Sequence, residues 1–276
     1  MKFKKMSYPY LIWQLIFIVV PLLLVFYYSI TSGSIDSFRD MSFSIASFKR
    51  FMTSQYLSIL LKSLRIALYT TIICLLIGYP MAYYISRLKT KIQSTMILLV
   101  IIPMWMNFLL RTYAWLTILS KNGIINKFLN IFGIAPLDLI FTEKAVMIGM
   151  VYNFLPFMVL PIYSVLAKMD MDLEEAAWDL GANKNQTFWR IIFPMSLPGV
   201  ITGITMVFIP AVSTFEISSL LGGNKVNLIG NVIEQQFRVT GDWHFGSSMS
   251  MILMILIVLS MLITNRFGED SGGELW

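Results

Sequence analysis

Apolar residues along this 276-residue chain are gathered into six long runs separated by shorter polar stretches. The runs cover about 10–30, 63–85, 94–116, 144–166, 198–220 and 246–264. Each is long enough to cross a ~30 Å hydrocarbon core, which takes about 20 helical residues. Six transmembrane helices are therefore predicted. The second run is interrupted by Gly78-Tyr79-Pro80, the third carries Pro103, Trp105, Asn107 and Arg111, and the fourth carries Pro156 and Pro161. The first follows Lys2, Lys4 and Lys5 as a signal peptide would, but its length and the lack of a small-x-small cleavage site predict an uncleaved helix. Between the runs lie a serine-rich connection at 31–58, a short interfacial helix within 119–143 with turns at Gly123 and Gly133, and a polar excursion at 222–245. The expected organisation is an N-terminal segment 1–9, a membrane domain 10–264 and a glycine-rich, acidic tail 265–276, expected to be disordered. No internal repeat is evident.

Composition agrees with this pattern. Hydrophobic residues make up 57%, mean hydropathy is +0.73 and charged residues are only 13%, which fits an all-α integral membrane protein. The net charge of +6 comes from basic residues spread through loops at membrane boundaries, where they meet lipid headgroups and set topology, so nucleic acid is not an expected partner. Cys74 is the only cysteine and sits in an apolar run, and His244 is the only histidine. One cysteine and one histidine are too few for a Cys/His zinc cluster, and no plausible nucleophile–base set is evident, so no catalytic or metal residues are assigned. Gly222-Gly223-Asn224-Lys225 is too short for a phosphate-binding loop and lacks its hydroxyl residue. The chain is not expected to hydrolyse ATP or to bind a cofactor of its own.

The most patterned polar stretch is the loop 168–195. Asp172 and Glu175 have the spacing of a capping box, and Leu173, Ala176, Ala177 and Leu180 form one narrow apolar stripe. Two alanines in that stripe would let a partner backbone come close. Gly181 can end this helix in a left-handed conformation. Asn183 and Gln186 offer a second cap, Phe188, Ile191 and Ile192 share the face of a second short helix, and Pro194 is expected to stop it. An amphipathic hairpin packed on its own helices has the same local pattern.

The spacing of Glu175-Ala176-Ala177, Gly181, Ile191 and Pro194 resembles the EAA loop of ABC-importer permeases, with Phe193 where a leucine is usual. The resemblance implies that this loop docks a separate ATPase subunit through Glu174, Glu175, Ala176, Ala177, Leu180, Gly181, Phe188, Ile191 and Pro194. It also implies a MetI-like type I importer fold with six transmembrane helices in a bacterial inner membrane. Partners would be a homologous second permease, two ATPase subunits carrying ATP and Mg, and an extracytoplasmic binding protein. Positive-inside counting favours cytoplasmic termini only modestly, and the docking resemblance fixes that orientation.

Further stretches resemble spermidine/putrescine permeases: Ile101-Ile102-Pro103-Met104-Trp105, Arg111-Thr112-Tyr113, Phe154-Leu155-Pro156-Phe157-Met158, Leu228–Ile233 and Asp242-Trp243. They imply a polyamine cargo and a polyamine-binding protein. A path for a flexible polycation calls for carboxylates, polar oxygens and aromatic faces. Candidates are Glu216, Trp105, Asn107, Tyr113, Tyr152 and Asn153, with Trp115 a further aromatic. Glu216 is expected near the outer end of a continuous fifth span, and an ion pair with Arg111 or with the partner permease is its other role. Arg111 is expected to be paired or to snorkel. Each aromatic has an interfacial or packing role open to it. Asp242 and Trp243 could meet the binding protein or form a solvated turn. Another solute, such as an aminophosphonate, iron complex or oxyanion, fits the docking loop equally. A gradient-driven secondary transporter fits worse, because the spans lack a mid-membrane relay of ionisable residues.

Overall fold

The computed structural model describes residues 12–33, 41–170 and 172–272. Helix α1 (Ile12–Ser29) is followed by a two-stranded antiparallel sheet, β1 (Thr31–Ser32) with β2 (Ser42–Phe43), and by α2 (Ala46–Phe51). Next come α3 (Ser54–Ser86), α4 (Thr90–Trp105), α5 (Phe108–Leu119), α6 (Ile124–Ile131) and α7 (Glu143–Leu166). The loop region supplies α8 (Asp172–Asp179), which leads into α9 (Lys184–Ser213). The remainder is α10 (Glu216–Gly222), α11 (Ile229–Gln235) and α12 (Trp243–Gly272). Among the described residues, α1, α3, α7, α9 and α12 are each long and apolar enough to cross a membrane. Helix α4 with the segment Phe108–Ile131 supplies a sixth span, bent by 93° at its break.

Several expected boundaries move. The 33 residues of α3 run unbroken through Gly78-Tyr79-Pro80, and the helix starts at Ser54 rather than near 63. At 1.5 Å per residue it is about 50 Å long, well beyond a ~30 Å core, so it protrudes. The third span does not continue to 116. It stops at Trp105, and Asn107 restarts the chain as α5 by accepting hydrogen bonds from the Leu109 and Leu110 N–H groups at 2.9 and 3.3 Å. The fifth span ends at Ser213 rather than near 220, because Thr214 turns to an extended conformation four residues after Pro210. Helix α12 extends to Gly272, so most of the tail expected to be disordered is helical. The segment 1–9 and residues 273–276 lie outside the described residues.

The chain divides into two compact units. In the first, formed by residues 1–61 and 229–258, the one histidine works as a structural tie. Buried His244 lies with Nδ1 at 3.0 Å from the Tyr28 carbonyl and Nε2 at 3.2 Å from the Gly33 carbonyl, and the Ser248 hydroxyl donates to the Ser29 carbonyl. Arg50 bridges Asp242 at 2.8 Å while its guanidinium stacks over Phe245, 4.1 Å from the ring centre.

The second unit, residues 62–228 and 259–276, is organised by α7 against α9. Close approach depends on small residues. Gly199 and Gly203 lie one turn apart on α9, and a Cβ on Gly199 would sit 2.8 Å from the Pro161 carbonyl oxygen and 3.0 Å from Ile162 Cα. Membrane helices have no hydrophobic drive to associate, so packing of this kind and interhelical polar contacts hold them together. Helix α3 lies along α7 through Gly78 against Met158, and its Lys62 and Arg65 both bridge Glu143 in the first turn of α7 at 3.0 and 2.9 Å.

Candidate functional site

Helix α8 begins at Asp172, whose N–H donates to the Asp170 carboxylate at 3.1 Å. At the far end Gly181 adopts φ +84°, a left-handed value that costs any residue with a Cβ. The Asn183–Gln186 capping box then starts α9, with both reciprocal bonds at 2.9 Å. The expected elbow of two helices meeting at a glycine is therefore present.

The second arm is not short, however. Pro194 does not stop it. Residues Phe188–Ile192 form a wide π turn in which the Phe193 N–H reaches the Phe188 carbonyl, and the helix passes through Pro194 into the membrane segment. A proline ring clashes with the carbonyl four residues back in a regular helix; the widened turn just before it relieves that conflict. The elbow is thus the end of the same rod that packs on α7.

The elbow bears an open groove of about 610 Å³, lined by Leu173, Ala176, Ala177, Leu180, Gly181, Arg190 and Ile191 among others. The predicted apolar stripe is the wall of this groove. Leu180 is 89% exposed, and Leu173, Trp178 and Trp189 are also open to the surroundings. Glu175 and Ala176 are exposed on the same arm. Glu174 is not: only 4% exposed, it is ion-paired with Arg87. Phe188 is half-buried, packed edge-on against Tyr79 and Tyr83 of α3.

A second feature lies where α4/α5 and α9/α10 are broken. A cleft of about 480 Å³ is lined by Asn107, Phe108, Leu109, Phe154, Pro210, Ser213, Thr214, Phe215 and Glu216. Glu216 opens α10, half-buried, with the Thr214 hydroxyl donating to its carboxylate at 3.4 Å. It does not stand on a continuous fifth span. The C-terminus of α9, which carries partial negative charge, also meets the cleft at Ser213 and Thr214.

The other path candidates are dispersed. The Asn107 side-chain oxygen lines the cleft but already accepts the two bonds that cap α5. Trp105 is 77% exposed and Tyr113 is exposed as well. Tyr152 packs edge-on against Trp115, 5.4 Å between ring centres, in a separate, almost wholly apolar recess that also holds Ile73 and Ile77. Buried Asn153 donates to the Gly149 carbonyl at 2.8 Å, and its side-chain oxygen has no hydrogen-bond partner among the described residues. Neither expectation for Arg111 holds. It is 8% exposed, stacks near Phe108, and two of its guanidinium nitrogens are buried without a hydrogen-bond partner among the described residues. In the first unit Asp242 is engaged by Arg50, while Trp243 is exposed.

The sequence reading overlooked two structural polar groups. Asn126 staples the loop after α5 by bonding the Ser120 carbonyl and both backbone groups of Leu137 at 2.8–3.1 Å. Arg87, which pairs with Glu174 in the elbow, is in the sequence only one of the basic residues spread through loops at membrane boundaries. Asn126 pairs across an irregular loop and Arg87 with a residue 87 positions away, so neither contact leaves a periodic signal in the sequence.

Residues 74–268 match the family described as binding-protein-dependent transport system inner membrane component. The chain is 42% identical over 253 residues to the spermidine/putrescine transport system permease protein PotB of Salmonella typhimurium, covering 91% of this chain and 88% of that protein. It is 40% identical over 268 residues to the protein of the same name from Haemophilus influenzae, covering 96% and 94%. Among solved structures, a bacterial ABC transporter involved in import of the acidic polysaccharide alginate superposes with a TM-score of 0.77 at 17% identity, covering 97% of this chain and 95% of that one. That similarity is one of fold.

Proposed function

The chain belongs to the family of binding-protein-dependent transport system inner membrane components, and from that premise we propose that it is the permease of an ATP-driven importer of polyamines. The observation that carries the substrate is the 42% identity, spread over 91% of the chain, with permeases named for spermidine and putrescine. Fold alone does not carry it, since a structural neighbour serves an acidic polysaccharide.

In this reading the elbow at Gly181 faces the cytoplasm, as do both termini, and its groove receives an apolar projection of an ATPase subunit. Leu180 and the Ala176–Ala177 surface supply close contact there, and Glu175 supplies charge. Because α9 is continuous from the elbow to Ser213, a displacement of the ATPase moves a rod that reaches the cleft beside Glu216. The cleft offers a polycation one carboxylate, hydroxyl oxygens from Ser213 and Thr214, and the negative end of α9. Methylene spacers of the cargo fit the faces of Phe108, Phe154 and Phe215. A second, homologous permease completes the path, and a binding protein delivers cargo from outside, with Asp242 and Trp243 near its landing surface. ATP and Mg reside on the ATPase subunits. This chain contributes the path and the lever.

The test is ATP hydrolysis by the reconstituted complex with its binding protein. Spermidine or putrescine should stimulate it. A complex that ignores both but responds to an anionic or metal-chelate solute would remove the polyamine assignment and leave the importer reading in place.

A further inference from the structure

Three residues spaced four apart on one face of α3 and its end grip the elbow in succession. The Tyr79 hydroxyl hydrogen-bonds the Ser196 hydroxyl at 2.9 Å, and its ring packs against Phe193 and Phe188 at 5.7 and 5.9 Å between centres. Tyr83, one turn on, sets its ring perpendicular to Phe188 at 5.7 Å. Arg87, one turn further and just past the helix, places its guanidinium 5.3 Å from the Tyr83 ring centre and donates to the Glu174 carboxylate. Residues four apart lie on one helix face, so the contacts form a ladder. Its lower rungs hold α9 and its top rung holds α8.

The top rung is buried. The Glu174 and Arg87 side chains are 5% and 17% exposed. Charges taken this far from water remain held only while each has the other, so loss of one partner leaves the second uncompensated. Glu174 also sits in the first turn of α8, where a carboxylate is favoured by the helix dipole. Glu175, its neighbour, is exposed beside the groove. Two adjacent glutamates thus face different ways.

We propose that Tyr79, Tyr83 and Arg87 form a strut that fixes the elbow to α3, with Glu174 its anchor, so that motion of the elbow is passed to α3 as well as along α9. Glu174 is then a positioning residue acting within its own chain and not a contact of the ATPase. The proposal rests on the elbow being the docking element. Its consequence is that α3, whose far end clamps α7 through Lys62, Arg65 and Glu143, moves together with the elbow.

The experiment measures polyamine taken up per ATP hydrolysed in the reconstituted complex, alongside co-purification of the ATPase. Glu174→Gln and Arg87→Gln should each keep the ATPase bound and hydrolysing while the uptake-to-hydrolysis ratio falls about tenfold or more, within the usual range of intersite coupling. The exchange Arg87→Glu with Glu174→Arg should restore most of the ratio. Tyr83→Leu keeps both charges and the burial, and should lower the ratio even if the charge variants fail to accumulate. An unchanged ratio in the single variants overturns the strut. Loss of the ATPase from Glu174→Gln overturns it too, by making Glu174 a docking contact. Retention of the ATPase by Gly181→Asp is a separate result: it removes the docking reading and leaves the ladder as packing.

Discussion

Asn107 and Glu216 stand at the breaks of two different membrane segments and line the same cleft. Asn107 caps the helix that restarts after Met106, and Glu216 opens the one that restarts after Thr214. Non-helical backbone at membrane depth is tolerated only where it is buried in protein or borders a water-filled cavity. Two such breaks bring one carboxylate to the cleft, which is where the proposed path for a cation runs.

Glu216→Gln should therefore lower spermidine uptake on the order of tenfold, about 1.4 kcal/mol, while the complex assembles normally. The comparison is uptake against recovery of all subunits. Unchanged uptake would take Glu216 out of the path.

Gly181 separates backbone strain from docking. Its φ of +84° penalises any other residue, but no heavy atom lies within 4 Å of an added Cβ. Gly181→Ala should cost only about 1–2 kcal/mol of local strain and leave measurable ATPase binding. Gly181→Asp, like Glu175→Lys, should reach the membrane and lose the ATPase on co-purification.

Gly199 is the least forgiving contact of α9 with α7. An added Cβ meets backbone, the Pro161 carbonyl at 2.8 Å, whereas at Gly203 it meets first the Met158 sulfur at 2.7 Å. A thioether side chain can turn aside; backbone cannot. Gly199→Ala should cost about 1–3 kcal/mol in overpacking, read as a thermal unfolding midpoint in detergent lowered further than by Gly203→Ala. Equal effects would show that α7 yields at Pro161.

Arg111 holds a buried positive charge with no paired carboxylate among the described residues. Arg111→Met keeps the volume and removes the uncompensated charge, so the isolated permease should gain stability, by about 1–4 kcal/mol on the scale of buried-pair replacements. A lowered midpoint would mean that the guanidinium has a partner.

Much of this was legible in the sequence because it is local. The Gly181 elbow, the Asn183–Gln186 cap and the groove wall of Leu173, Ala176, Ala177 and Leu180 depend on residues within one or two turns of each other. The places where expectation failed are governed by tertiary context. Pro194 has the chemistry of a helix stop, yet the π turn before it lets the helix continue. Pro80 is likewise absorbed within α3. Pro103 and Pro210 look no different in the sequence, yet the chain breaks a few residues after each, at Met106–Asn107 and at Thr214. Glu174 and Glu175 are chemically identical neighbours. Only a partner 87 residues earlier, Arg87, decides which of them is turned inward.

A single thiol at Leu180 reports whether a separate ATPase grips the elbow from the cytoplasm. Cys74, the only native cysteine, is fully buried, whereas Leu180 is 89% exposed. Leu180→Cys therefore supplies one accessible position for a short crosslinker in intact membranes. The expected result is a crosslinked product with the ATPase subunit and protection of the thiol from membrane-impermeant reagents outside the cell. Labelling from outside, or crosslinking that never captures the ATPase, would contradict it.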